Sequence, residues 1–302
     1  MPKRYKILVT GSSGMLGTDL CQELKKDYQV YGADLAYSLK LTAYSFTRCD
    51  ITDKRSISKV MNKLHPDIII HTAAMTDVDG CELNPKKAYK VNAEGAKNVA
   101  LACKEADAVL IYISTDFVFD GKKKNLYKET DKVNPLSIYG DSKLKGEESI
   151  RNTLKKYFIL RTSWLYGKHG KNFVDTIIAK AKSEKALKVV DDQVGSPTYT
   201  KDLSKAIHVL LHRRDDKLFS LTTPQRWAGV YHVSNSGSVS WFSYARKILK
   251  LAGSKTRVLP ISSKELNSPA KRPAMSILDN SKFMKFTGYR MRNWQEALKD
   301  YV

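Results

Sequence analysis

Short apolar runs alternate with longer segments of helical period along much of this chain. Tyr5-Lys-Ile-Leu-Val-Thr10 is apolar and partly β-branched, stops at a glycine, and is followed by the amphipathic stretch Thr18 to Lys26. An unbroken apolar run suits a strand and apolar positions three and four apart suit a helix, so this reads as strand, glycine turn, helix. The unit recurs. Gln29-Val-Tyr-Gly-Ala-Asp34 predicts a second strand and a short one ends at Cys49-Asp50. Thr52-Asp-Lys-Arg-Ser-Ile then offers a cap for a helix to about Leu64, which His65-Pro66 breaks before the strand Asp67-Ile-Ile-Ile-His71. A helix from Pro85 to about Ala106 precedes Val109-Leu-Ile-Tyr-Ile113, and another, about Ser137 to Lys156, precedes Tyr157-Phe-Ile-Leu-Arg-Thr162. Repeated βα units of this kind predict an α/β fold with a doubly wound parallel sheet of Rossmann type, whose ligands bind beyond the carboxyl ends of the strands.

Candidate chemistry falls at those strand ends. In Gly11-Ser-Ser-Gly14-Met15-Leu16-Gly17, the first glycine permits a tight turn, the second lets backbone N–H groups approach a pyrophosphate, and the third allows close helix packing. The spacing differs from the Gly-x-Gly-x-x-Gly fingerprint of simple dinucleotide folds, and glycines in such a turn can also be merely structural. Asp34 closes the second strand where a carboxylate can accept hydrogen bonds from a ribose diol, or simply end a strand. It would repel a 2′-phosphate, which leans toward NADH, although Arg48, Lys40 or the backbone could tolerate that phosphate in NADPH. Asp50 and Ile51 can hold an adenine or form an ordinary helix cap; Ala73 and Ala74, ahead of Thr76, are small enough to let a cofactor lie on the backbone or to pack tightly.

The most telling pair is Tyr139 and Lys143, a phenol and an ammonium four residues apart and therefore on one helix face. A nearby cation favours the phenolate, so Lys143 is expected to lower the tyrosine pKa from its usual ~10 and make Tyr139 a proton donor near neutral pH. A solvated Tyr/Lys pair has the same spacing.

Composition narrows the class. The 302 residues are 42% hydrophobic, enough for a substantial core. No apolar run approaches a membrane span, and Met1-Pro-Lys-Arg-Tyr-Lys leads into the first strand without a secretory core, so a soluble cytoplasmic protein with no membrane partner is expected. Cys21, Cys49, Cys81 and Cys103 lack Cys-x-x-Cys spacing and are expected as buried or free thiols; no metal ligands stand out. The net charge of +21 is scattered, with Lys122-Lys-Lys124 the one run of three, and no aromatic RNA-reading signature or basic recognition helix accompanies it. No specific nucleic-acid partner is expected.

Taken together, Gly11 to Gly17, Thr76-Asp-Val-Asp79, Ser114-Thr-Asp-Phe-Val-Phe119, Asn134-Pro-Leu-Ser-Ile-Tyr-Gly140, Arg161-Thr-Ser-Trp-Leu-Tyr166, Asp192-Gln-Val-Gly-Ser-Pro-Thr198 and Arg272-Pro273 resemble the dTDP-4-dehydrorhamnose reductase family. That family lies within the extended short-chain dehydrogenase/reductases, and the resemblance spans nearly the whole chain. It implies reduction of the 4-keto group of dTDP-4-dehydro-L-rhamnose by NADPH or NADH. Tyr139 would donate the proton, Lys143 would hold the nicotinamide ribose, and the Thr115 hydroxyl would bind the reacting oxygen, or cap a strand end. Val78, Asp116, Trp164, Asn172 and Arg272 are implied as substrate contacts, with Arg272 suited to a diphosphate. A lone Trp is more often core, and an arginine near Pro269 and Pro273 can equally be surface.

Residues 1–165 are then expected to form the dinucleotide-binding domain, rejoined by about 199–235 through a helix from Thr200 to His212 and the strand Gly229-Val-Tyr-His-Val233. Residues 166–198 and 236–302 are expected to form a smaller, interleaved α/β substrate-binding lobe. The segment from His212 to Trp227 reads as an inserted loop. Related dehydratases place Asp-Glu directly after the threonine; here Asp116-Phe117 follows, which favours reduction over elimination. Epimerases need only the Tyr/Lys/Thr set. The regulatory subunit of methionine adenosyltransferase is similar along its length too, so a partner-binding role stays open. Some relatives bind magnesium at a dimer interface through glutamates. The matching places here hold Asp19 and Lys201, which argues against a metal bridge and leaves a homodimer open.

Overall fold

The computed structural model describes residues 5–36, 45–212 and 227–302; Lys40 and all but the ends of the expected inserted loop lie outside them. Among the described residues a parallel sheet of seven strands forms the centre, in the spatial order Gly229–His232, Tyr157–Thr162, Val109–Thr115, Ile68–His71, Lys6–Thr10, Gln29–Asp34 and Ser45–Arg48. From β1 (Lys6–Thr10) the chain passes through α1 (Met15–Leu24) to β2 (Gln29–Asp34) and β3 (Ser45–Arg48), then through α2 (Lys54–Leu64) back to β4 (Ile68–His71) on the other side of β1. That reversal makes a switch point between β1 and β4, where a crevice opens at the strand ends. After α3 (Val78–Leu83) come α4 (Pro85–Tyr89), a π turn at Lys90–Glu94 and α5 (Gly95–Glu105), then β5 (Val109–Thr115), α6 (Ile138–Thr153) and β6 (Tyr157–Thr162).

Both faces of the sheet are buried, which is why its strands read as unbroken apolar runs. Ile7, Val9, Ile68, Ile70 and Ile111 face one core with Leu20 and Leu24 of α1, while Leu8, Ile69, Leu110 and Ile159 face the other with Ile57 of α2 and Val99 of α5. The single helix expected over Pro85 to Ala106 is interrupted by the π turn. The wider turn carries buried Asn92, whose Oδ1 accepts from Met75 N (2.8 Å) and whose Nδ2 donates to Met75 O (3.0 Å), fixing the strand-end loop after β4.

The rest of the chain adds β7 (Leu165–Tyr166), α7 (Phe173–Lys180), β8 (Ala186–Val190), β9 (Val194–Gly195), β10 (Thr198–Tyr199) and α8 (Thr200–His212), and the sheet is completed by β11 (Gly229–His232). There follow β12 (Val239–Ser240), α9 (Trp241–Leu251), β13 (Arg257–Ile261), α10 (Ser263–Leu266), α11 (Ser281–Thr287) and α12 (Trp294–Tyr301). A further apolar core joins Val174, Ile177, Leu187, Tyr244, Ile248 and Leu298 from α7, β8, α9 and α12. Leu203, Ile207 and Leu210 of α8 pack in the core of the sheet. So do Phe283 and Met291, from the stretch expected in the smaller lobe, because the edge strand β11 needs cover for Tyr231 and Val233. All four cysteines are buried and none is in a disulfide. No described helix is long and apolar enough to cross a membrane.

Candidate active site

A cavity of about 940 Å³ opens at the carboxyl ends of the strands and runs from the switch point to the α7/α9 core. Its near end is the glycine turn. Gly11 has φ +70°, and a Cβ there would lie 2.6 Å from Ala73 N; a Cβ on Gly17 would lie 2.1 Å from Gly11 O. A side chain at Gly11 would run into the backbone after β4, and one at Gly17 would push α1 off the turn. Gly14 is the N-cap of α1 and supplies no side-chain bond to its first turn, which carries no acidic residue either. The start of α1, with Met15 and Leu16 on the cavity wall, is thus a site for an anion. Asp34 ends β2 beside it, accepting from Ser13 N (3.0 Å) and Leu35 N (2.7 Å). Asp50 both turns its own backbone, accepting from Thr52 N and Oγ1 at 2.8 Å each, and lines the cavity with Ile51, Ala73, Ala74, Thr76 and Val78. These residues fit a dinucleotide: glycine and alanine where backbone must be reached, carboxylates at the rim.

The chemistry-bearing groups meet in the middle. Ser137 caps α6, accepting from Gly140 N at 3.2 Å, and a Cβ on Gly140 would lie 2.3 Å from Phe117 O. The first turn of α6 therefore sits directly on the 3₁₀ turn Asp116–Val118 and brings Tyr139 to Thr115. The Thr115 hydroxyl is near enough to the Tyr139 phenol to act on its titration, accepts from Phe117 N (3.2 Å) and donates to Asp116 Oδ1 (3.1 Å). Strand-end cap and site residue are the same side chain. Burial pushes the Tyr139 phenol well above its ordinary value; the Thr115 hydroxyl opposes this, and the Asp116 and Cys81 charges add to it.

The expected lowering of Tyr139 by Lys143 is therefore corrected. Buried Lys143 donates from Nζ to Ile113 O at 2.7 Å and lies over the Tyr112 ring, 4.1 Å from its centre. Burial draws Lys143 down to about 7, and Glu147 opposes that shift. Asp116 moves the other way, pushed up to about 7 by burial, with bonds from Ser276 and Thr115 holding it back.

Glu147 was not singled out from the sequence. Its Oε1 accepts from Ser114 Oγ (2.6 Å) and Arg161 Nε (2.9 Å), and its Oε2 from Arg161 Nη2 (2.7 Å), all of it buried. The available signal was Arg161, a charge directly after the apolar run Phe158-Ile-Leu160 in a strand, which demands a buried partner.

At the far end, Trp164, with φ 48°, stacks on Trp241 at 3.5 Å between ring centres, and Phe173 lies 4.4 Å from Trp241. A Cβ on Gly195 would meet the Trp164 indole at 2.5 Å, so the Asp192–Thr198 loop does shape this wall. Trp241 escaped the sequence reading; its only mark is the cap Ser240 before it. Arg272 lines the cavity with Lys171, Lys180 and Lys188, and it is already held by Asp79 (Nη2 to Oδ2, 2.8 Å) and Ala270 O (3.0 Å). Asn172 is off the cavity wall. Its Oδ1 caps α7 by accepting from Asp175 N (3.0 Å), and its Nδ2 donates to Gly167 O (2.9 Å), so the expected direct substrate contact gives way to a capping role one residue before Phe173.

Residues 5–302 match the model of a family described as the RmlD substrate binding domain. The chain belongs to this family. It is 42% identical over 298 residues to the spore coat polysaccharide biosynthesis protein SpsK of Bacillus subtilis (strain 168), covering 98% of this chain and 96% of that one. It is 36% identical over 303 residues to a dTDP-4-dehydrorhamnose reductase of Aggregatibacter actinomycetemcomitans, covering 98% and 97%. Among solved structures, dTDP-4-dehydrorhamnose reductase from Bacillus anthracis str. Ames in complex with NADP is similar with a TM-score of 0.88 and 40% identity over 99% of each chain. MoeE5 in complex with UDP-glucose and NAD, 19% identical with a TM-score of 0.82, shares the fold. In this RmlD-family chain Asp19 is engaged internally, accepting from Thr200 Oγ1 and lying 3.5 Å from His169 Nε2.

Proposed function

We propose that this chain is an NAD(P)H-dependent reductase of the 4-keto group of a nucleotide-diphospho-sugar, converting dTDP-4-dehydro-L-rhamnose to dTDP-L-rhamnose. One observation carries the reading: the Tyr139 phenol and the Thr115 hydroxyl meet in the wall of a cavity that has a glycine turn at one end and stacked indoles at the other. The names of its full-length relatives support the substrate class.

The dinucleotide, when bound by Gly11 to Gly17, Asp34, Asp50, Ile51, Ala73, Ala74 and Thr76, supplies the hydride. Thr115 holds the carbonyl oxygen and strengthens its grip as negative charge grows there. Tyr139, kept protonated at neutral pH by burial, donates its Oη proton to that oxygen; an alkoxide is far more basic than a phenolate, so the transfer is downhill even from a raised pKa. Lys143, in the cavity wall beside Ile113, would orient the nicotinamide ribose. Asp116, poised at about 7, can donate or accept a bond from a sugar hydroxyl. Trp164 and Trp241 cover the sugar and base side, and Arg272 with Lys171 and Lys188 neutralises the diphosphate.

The test follows absorbance at 340 nm with NADH and NADPH against a panel of 4-keto nucleotide sugars. Consumption is expected with the dTDP-linked ketone. Tight dinucleotide binding with no turnover on any member would overturn the proposal in favour of a non-catalytic, partner-binding role.

A further inference from the structure

Away from the cavity, the ends of α1 and α8 bring together a set of side chains that the proposed reaction does not use. His208 and His212 stand four residues apart on α8 and share one face, with ring centres 4.3 Å apart. Their Nε2 atoms converge on one carboxylate oxygen, Asp27 Oδ2, in the turn after α1: 2.9 Å from His208 and 3.4 Å from His212. Both Nδ1 atoms point the other way and each has its own oxygen partner. Glu23 Oε1 lies 3.1 Å from His208 Nδ1, and the hydroxyl of buried Tyr28 lies 2.8 Å from His212 Nδ1.

The geometry points to a binding site for a divalent transition-metal cation, Zn²⁺ in the first instance, held by His208 Nε2, His212 Nε2 and the Asp27 carboxylate. Bonds of 2.0–2.1 Å in a tetrahedron put neighbouring ligand atoms about 3.3 Å apart, and the two measured separations to Asp27 Oδ2 bracket that edge. All three ligand atoms lie within 4.8 Å of one another. Histidine ligands in metal sites commonly have the second ring nitrogen fixed by a carboxylate or another oxygen, and here both do. A neutral imidazole with its proton on Nδ1, donated to Glu23, leaves the Nε2 lone pair for the metal. Two imidazoles and one carboxylate suit zinc, copper or nickel, whereas magnesium and calcium prefer oxygen alone. Asp27 and His212 have side chains 41% and 44% exposed, so the ion has an entry path and room for water as a further ligand. Once bound, it would tie the end of α1 to the end of α8, at a distance from the reacting groups.

Untagged, chelator-stripped protein titrated with ZnCl₂ by calorimetry is expected to bind one equivalent per chain, with a rise in Tm. His208→Gln and His212→Gln should each weaken that affinity at least tenfold, and Tyr28→Phe should weaken it by about tenfold through the loss of an outer-shell bond. Ketone reduction by the variants should be unchanged, and MgCl₂ should produce no comparable shift. Co²⁺ as a probe guards against a variant that fails to fold: a visible d–d band in the native chain, displaced by Zn²⁺, is the expected result. Absence of saturable Zn²⁺ binding, or wild-type affinity in both histidine variants, would overturn the site.

Discussion

Replacing Glu147 by Gln tests the buried machinery behind the reacting groups. The carboxylate is wholly buried and accepts bonds from Ser114 Oγ, Arg161 Nε and Arg161 Nη2. Glutamine retains one acceptor but sets an NH₂ against the guanidinium or the serine hydroxyl, and leaves the buried Arg161 charge uncompensated. Breaking one side of such a pair costs about 3–5 kcal/mol. A chain of this length has an unfolding entropy that converts each kcal/mol to roughly 1.6 °C, so Tm should fall by about 5–8 °C. The second consequence is chemical. Glu147 is the group that opposes the depression of Lys143, so its loss draws the ammonium further down and leaves less of it charged at neutral pH. If a charged Lys143 supports turnover, the alkaline limb of the kcat/KM profile moves to lower pH in Glu147→Gln. Differential scanning fluorimetry gives the first quantity and a pH–rate profile on the folded variant gives the second. A Tm within 1 °C of wild type, or a limb at the same pH, would show that the pair neither anchors the sheet nor tunes the lysine.

Tyr139→Phe keeps the edge-to-face contact with Phe117 and leaves Thr115 with its bonds to Phe117 N and Asp116, so stability should hold while kcat drops by about 10²–10⁴ with dinucleotide affinity nearly retained; turnover within threefold of wild type would refute the assignment. Asp116 has its folded pKa raised from 3.8 to about 7, so its neutral form favours the fold below pH 4 and that contribution, at most about 4 kcal/mol, is lost as pH rises through 7. Asp116→Asn should therefore gain stability relative to wild type between pH 4.5 and 7 in urea melts, and a pH-independent difference would count against the buried carboxyl.

The sheet was legible because every inner strand is covered on both faces, so runs such as Ile68-Ile-Ile had no solvated side to disguise them. The glycine turn, Tyr139, Thr115 and Trp164 were legible as motifs. What escaped depends on distant neighbours. The π turn is fixed by Asn92 reaching back to Met75, a contact that no local propensity reports. Glu147 stands four residues from Lys143, the spacing of a solvated helix pair, and only the Arg161 strand beside it makes both buried. Asn172, expected as a substrate contact, stands one position from the cavity wall with its amide engaged in capping α7, an arrangement that depends on the helix it starts. His208 and His212 carry a visible spacing, but their meaning comes from Asp27, on the other side of the α1/α8 packing.

The arrangement of charge along the cavity separates binding from chemistry. Arg272, Lys171, Lys180 and Lys188 line the cavity, and on the proposed reading they supply the fixed positive charge that a diphosphate requires. In the same stretch of the cavity Asp116 and Lys143 are each drawn to about 7 from opposite directions by burial, so neither holds a full charge at neutral pH. A weakly charged, buried surround strengthens the field of whatever charge appears there. The charge that develops on the reduced oxygen is therefore felt strongly by Thr115 and Tyr139 and weakly elsewhere. A fixed ammonium acting on the phenol would have lowered its pKa before any substrate arrived and weakened its claim on the proton, whereas the Lys143 ammonium is bonded to Ile113 O and lies over the Tyr112 ring.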